Sequence, residues 1–136
     1  MNSKHAIISI LKTSAFISEI LLSELKPYEI SEQQFNVLRI LRGQKGIAAN
    51  LSTVQDRMVH KMSNTTRLID KLIQKKLVKR NVCVKNRRKI ELFITEDGLD
   101  LLKKIDPITD EIEKKILSNI SSQDLNSLIS ILNLIN

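Results

Sequence analysis

Along the first 25 residues, apolar side chains recur at Ile7, Ile10, Leu11, Ile17, Leu21 and Leu25, the spacing of one helical face. A second stripe, Ile8, Ala15, Ile20 and Leu22, lies off that face, and a helix apolar on more than one side needs more than one partner surface. Pro27 ends this helix. Ser31 suits the N-cap of the next one, with Gln34 placed three residues on to complete a capping box. Phe35, Leu38 and Leu41, with Val37 and Ile40 beside them, make its buried stripe, and Gly43 and Gly46 then break the chain.

Ile47 to Ala49 is expected to pair as a short strand. Asn50 caps a short helix from Leu51 to about Val59, anchored by Leu51, Val54 and Met58. After the polar turn His60-Lys61, a further helix is expected from Met62 to Lys76, with Leu68, Ile69 and Leu72 inward. Ser63, Asn64, Thr66, Arg67, Asp70, Lys71 and Gln74 fall mostly on its open side. Two short helices around so tight a turn, the second polar on its open face, form a helix-turn-helix pattern.

The period then changes. Leu77, Val78, Val82 and Val84 precede the polar run Lys85-Asn86-Arg87-Arg88-Lys89, and Ile90, Leu92 and Ile94 alternate after it, which predicts a β-hairpin with a basic tip. Thr95 caps a long helix whose first turn carries Glu96 and Asp97, where negative charge suits the helix dipole. Leu99, Leu102, Ile105, Ile108, Ile112 and Ile116 keep helical spacing, with a bend expected at Pro107. Ser121 or Ser122 caps a last helix rich in Leu and Ile from Leu125 to Ile135.

The 136 residues fit one domain, 1–136, of mainly α (α+β) class. Aromatics are only 3%, so Leu and Ile do the packing. The net charge is +7, but its distribution says more than its size. Between Arg57 and Glu91 there are twelve Lys/Arg against only Asp70 and Glu91, whereas the segment before is nearly neutral and the one after is acidic. A central basic block of this kind is a localised anion-binding surface, although a charge run can also be a solvated face.

Other chemistry has little support. The lone Cys83 excludes an internal disulfide, fits a reducing compartment, and has no His or Asp arrangement around it. His5, His60 and Cys83 lack metal-ligand spacing, and no catalytic constellation or phosphate loop occurs, so neither an enzyme nor a cofactor or metal is expected. No signal-peptide pattern is present and no stretch approaches roughly 18 uncharged apolar residues, so the expectation is a cytoplasmic protein with no membrane partner.

Read together, Ser31-Glu32-Gln33-Gln34-Phe35-Asn36-Val37-Leu38-Arg39-Ile40-Leu41 resembles the second helix of MarR-family regulators. Met62 to Val78 looks like the family's recognition helix and its exit, Asn86-Arg87-Arg88 like the wing, and Ile94-Thr95-Glu96-Asp97-Gly98 like its T-x-x-G motif. The family usually has Asp where Asn86 stands and often Gly where Lys76 stands. The resemblance covers nearly the whole chain. It implies a winged helix-turn-helix lobe over 30–95, with residues 1–29 and 96–136 forming a dimerisation core. It also implies a small phenolic or amphipathic effector bound between core and lobes.

A homodimer of this type would bind double-stranded DNA at a pseudo-palindromic site, most simply as a ligand-responsive repressor. Ser63, Asn64, Thr66 and Arg67 are the expected base-edge and phosphate contacts, with Lys71 one turn on and nearer the backbone. Ser63 serves equally as a helix cap, Arg67 can instead pair with Asp70, and Thr65 is expected to face inward. Lys85, Arg87, Arg88 and Lys89 supply the wing, with Arg88 the residue the resemblance favours for the minor groove. Two rivals remain open: a winged-helix protein-interaction module that meets an acidic partner, and a non-specific architectural DNA binder.

Overall fold

The computed structural model describes residues 2–82, 85 and 89–136. Among these residues six α-helices and two paired strands follow in the order α1 (Ser3–Leu25), α2 (Glu32–Gly43), α3 (Leu51–Arg57), α4 (Thr65–Gln74), β1 (Val78–Val82), β2 (Ile90–Ile94), α5 (Glu96–Ile116) and α6 (Ser122–Leu132). Among the described residues one 3-10 turn, Lys26–Tyr28, joins α1 to α2 and carries Pro27 as its second residue. The mainly α class with a two-stranded antiparallel wing stands as expected.

Local rules explain most boundaries. Ser31 and Gln34 form a reciprocal capping box at the start of α2, with both hydrogen bonds at 3.0 Å. Asn50 caps α3, Thr95 caps α5, and Ser121 rather than Ser122 caps α6. α5 runs through Pro107 without interruption.

Three expected elements are shorter. The strand at Ile47–Ala49 reduces to one bridge, in which Ala49 exchanges both backbone hydrogen bonds with Leu92. Ile47 stands outside it, 71% exposed. α3 ends at Arg57 because Met58 turns extended and is buried, while Leu51 is exposed and anchors nothing. α4 begins at Thr65, not Met62, because the Asn64 side chain accepts the Arg67 N–H and so fixes the cap.

One core joins the lobe to α1 and α5. Leu25, Val37, Leu38, Val54, Leu72, Leu92, Leu102 and Ile105 are its most completely buried side chains. α2 supplies the centre, burying Phe35, Val37, Leu38 and Leu41 together. At the rim, Arg42 of α2 donates to Asp106 of α5 at 2.8 Å, tying the lobe to the long helix.

α6 contributes no buried residue, and α1 buries only Leu25. By length and composition, α1 with its following turn is also the one helix among the described residues apolar enough to cross a membrane. The expectation that nothing approaches such a span overlooked how little the scattered charges Lys12 and Glu19 offset the surrounding Ile and Leu.

Candidate nucleic-acid interface

The segment from α3 to α4 is held by side chains reaching in from its surroundings. Asn36 of α2 accepts the Val59 N–H at 2.9 Å, just past the end of α3. Arg57 donates to Gln44 at 2.8 Å, and the Ser63 N–H closes the turn on the His60 carbonyl at 3.1 Å. α4 then buries Thr65, Ile69 and Leu72, one helical face, so Thr65 faces inward as expected.

The opposite face is open. Asn64, Thr66, Arg67 and Lys71 are exposed and Ser63 is half-buried. Ser63, Asn64, Arg67 and Lys71 come together around a hollow of about 400 Å³, with Leu68 at its edge. Thr66 lies on the exposed face but does not line that hollow. The sixth lining residue is Gln33, in the first turn of α2, which sequence reasoning missed. Its only signal was its place two residues after the Ser31 cap, and a polar residue there reads simply as helix surface.

The charges around α4 sort themselves. Asp70, its one acid, lies 3.7 Å from Arg80 on β1, so the alternative pairing with Arg67 is not made. Lys75, also exposed, is engaged within the chain, donating to the Glu29 carbonyl and, at 3.5 Å, to the Gln34 amide oxygen. Lys76 and Lys79 remain exposed. A phosphate oxygen in the hollow would meet two cations one helical turn apart and two side-chain amides, a set suited to charge-assisted hydrogen bonds.

Asn64 needs a correction in detail. Its side-chain oxygen caps α4 at 3.2 Å from the Arg67 nitrogen, so it is the cap that Ser63 was a candidate for. With that oxygen engaged, Asn64 presents chiefly its NH₂ donors outward, rather than the donor–acceptor pair that a bidentate bond to adenine uses.

The exit of α4 positions the hairpin. The Lys76 N–H reaches the Ile73 carbonyl and the Leu77 N–H the Leu72 carbonyl, a Schellman closure with Lys76 left-handed at φ 63°. This is where the family often has Gly, and Lys76 takes the left-handed conformation that glycine adopts freely. From there β1 and β2 pair from Val78 opposite Ile94 to Val82 opposite Ile90. Lys85 and Lys89 are exposed. Asn86, Arg87 and Arg88 of the expected wing tip, and Cys83, lie outside the described residues.

Comparison with known proteins agrees with this geometry. The MarR family model matches residues 30–90, the span of the lobe. The regulator TcaR of Staphylococcus aureus strain Newman, an HTH-type transcriptional regulator, is 29% identical over 126 residues, covering 90% of this chain and 81% of its own. A crystal structure of a MarR transcription factor from Planctomyces limnophilus superposes with a TM-score of 0.74 at 29% identity, over 96% of this chain and 95% of that one. BpsR of Bordetella bronchiseptica, whose DNA binding is regulated by 6-hydroxynicotinic acid, shares the fold with a TM-score of 0.85 at 20% identity, over 96% and 98% of the two chains. With its lobe matched and relatives of 29% identity aligned over 81% and 95% of their own lengths, the chain carries a MarR-family domain over residues 30–90 and is similar to DNA-binding transcriptional regulators of that family.

Proposed function

We propose that the chain acts as a homodimeric, ligand-responsive repressor that sets two recognition helices into successive major grooves of a pseudo-palindromic duplex site. The observation that carries the DNA contact is the open face of α4, where Arg67 and Lys71 meet Ser63, Asn64 and Gln33 around one hollow while Asp70 is answered by Arg80. Ser63, Asn64, Thr66 and Arg67 face the bases and sugars, and Lys71, Lys85 and Lys89 face phosphates. Arg87 and Arg88 join them on the strength of the sequence alone.

The division of labour is residues 30–95 for DNA and residues 1–29 with 96–136 for pairing. In support, Ile7, Ile8, Leu11, Phe16 and Leu22 of α1 and Leu128, Ile129, Ile131 and Leu132 of α6 are exposed in the single chain. Apolar surface of that extent is the mark of an obligate partner. Lys12 and Glu19 favour a helix–helix seam over a lipid span for α1, since charges in mid-membrane are costly. The protein then meets its DNA in the cytoplasm.

The effector is assigned to the space beside the turn before α4. A pocket of about 100 Å³ touches Leu21 of α1, Phe35 and Arg39 of α2, and Val59 and His60 of the turn before α4. The Arg39 guanidinium lies over the buried Phe35 ring, 5.4 Å from its centre, so the wall offers a cation backed by an aromatic ring. A small amphipathic molecule wedged there would shift the turn relative to α1, as the small-molecule regulation of BpsR suggests for a relative of the same fold.

Selection of bound sites from random duplex DNA, followed by a salt titration on the winning site, tests this reading. Two half-sites about one helical turn apart and a steep salt slope are expected. Salt-dependent binding without sequence preference would leave only an architectural binder. No duplex binding at all would favour a protein-interaction module.

A further inference from the structure

We propose that Met62 is a specificity-determining residue that packs on the 5-methyl group of one thymine in each half-site. The proposal rests on α4 being the DNA-reading helix. Its starting point is that Met62 is 99% exposed, the most open large apolar side chain in the described residues. Nothing in the fold uses it. The turn is held from either side by Met58 and Thr65, both 3% exposed, and by the Ser63–His60 backbone hydrogen bond.

Its position gives the exposure a meaning. Met62 stands two residues before the Asn64 cap and directly before Ser63, which lines the hollow at the head of α4. In a recognition helix, the N-terminal residues are those that reach base edges. The side chains next to Met62, Lys61 and Ser63, are polar, so an isolated thioether among them gains nothing from solvent or from its neighbours. The floor of the major groove offers hydrogen-bonding atoms on every base pair and a single kind of apolar group, the thymine methyl. An unbranched, polarisable side chain with three rotatable bonds is well suited to reach and pack on it.

The test uses the full-length protein and its selected site. Each thymine is replaced in turn by deoxyuridine, which removes the methyl and leaves base pairing intact. Affinities are measured by fluorescence anisotropy for the wild type, Met62→Ala and Met62→Gln. Losing one buried methyl predicts a loss of roughly fourfold per half-site for the wild type at one symmetry-related thymine. Both variants should be indifferent to deoxyuridine there and keep the wild-type response at other positions and the wild-type salt slope. Melting curves check that both remain folded, as the exposure of Met62 requires. The same deoxyuridine profile in wild type and variants, with all sites weakened alike, would make Met62 a backbone contact and overturn the proposal. A wild type indifferent to every thymine methyl would overturn it too. Absence of any salt-dependent duplex binding by the wild type would instead remove the DNA-binding reading, and this contact with it.

Discussion

The Thr95 hydroxyl donates to the Lys76 carbonyl at 2.8 Å and accepts the Gly98 N–H at 3.1 Å, so one side chain joins the exit of α4 to the start of α5. The Thr95 N–H adds a bond to the Leu77 carbonyl at 3.1 Å. Gly98 is part of the same joint, because a β-carbon built on it would stand 2.5 Å from the Leu77 carbonyl oxygen and 2.6 Å from the Ile94 side chain. The T-x-x-G motif is thus a clamp that fixes the hairpin and α5 against the exit of α4.

The clamp predicts two losses. Gly98→Ala forces backbone apart and should destabilise the fold by roughly 1–3 kcal/mol, as overpacking does. Thr95→Ala removes an N-cap and leaves the Lys76 carbonyl unanswered, costing about 1–2 kcal/mol. Chemical denaturation measures both. A Gly98→Ala variant as stable as the wild type would mean that the close approach is not maintained in solution.

Lys76 predicts a gain. A side chain at φ 63° is strained, and glycine takes that conformation freely. Lys76→Gly should therefore stabilise the protein by roughly 0.5–1 kcal/mol, after allowing for the greater freedom of glycine in the unfolded chain. It should also weaken binding to all DNA sequences slightly, through one lost cation. Equilibrium unfolding in urea, paired with a salt titration, separates the two effects.

Asn64 and Lys71 should part company. Asn64→Ala removes both a cap and a base-facing donor, so it confounds about 1 kcal/mol of stability with specificity. Asn64→Ser keeps a capping oxygen and is the cleaner variant. It is expected to fold like the wild type yet relax base preference at one position per half-site. Lys71→Ala should weaken all sequences alike and flatten the salt slope. Identical site-preference profiles for the two variants would refute the division between base-facing and phosphate-facing residues.

The fold was largely legible because its boundaries are set by local chemistry. Ser31, Asn50, Thr95 and Ser121 each accept a backbone N–H three residues on, and such caps can be recognised from sequence alone. The start of α4 was less legible, since Ser63 and Asn64 are both good caps and only tertiary packing of Thr65 chooses between them. The strand at Ile47–Ala49 failed because three apolar residues suffice for a bridge but not for a ladder. Within the site, the exposed face of α4 followed from helical periodicity. Gln33 did not, because its approach to Arg67 and Lys71 joins residues more than thirty positions apart, which no local pattern encodes.

The pairing of chains gives the last prediction. α1 and α6 together expose a series of Leu, Ile and Phe side chains, and α6 buries none of its own. Each such side chain, roughly half exposed, forgoes about 1 kcal/mol of burial free energy. Pairing α1 and α6 across a two-fold axis recovers much of that and sets two lobes side by side at a fixed spacing. Leu128 lies on α6 at 42% exposure, so in the single chain a charge there would cost little. In a dimer seam the same charge would be desolvated without a partner, which is severe. Leu128→Asp is therefore expected to yield a monomer, or a chain that unfolds at lower temperature, and to lose tight binding to a two-half-site duplex while retaining weak, salt-dependent contact through a single lobe. Sedimentation of the wild type without DNA is the direct measurement. A well-folded wild-type monomer at micromolar concentration would overturn the dimeric arrangement, because the apolar faces of α1 and α6 would then be stable in water without a second chain to cover them.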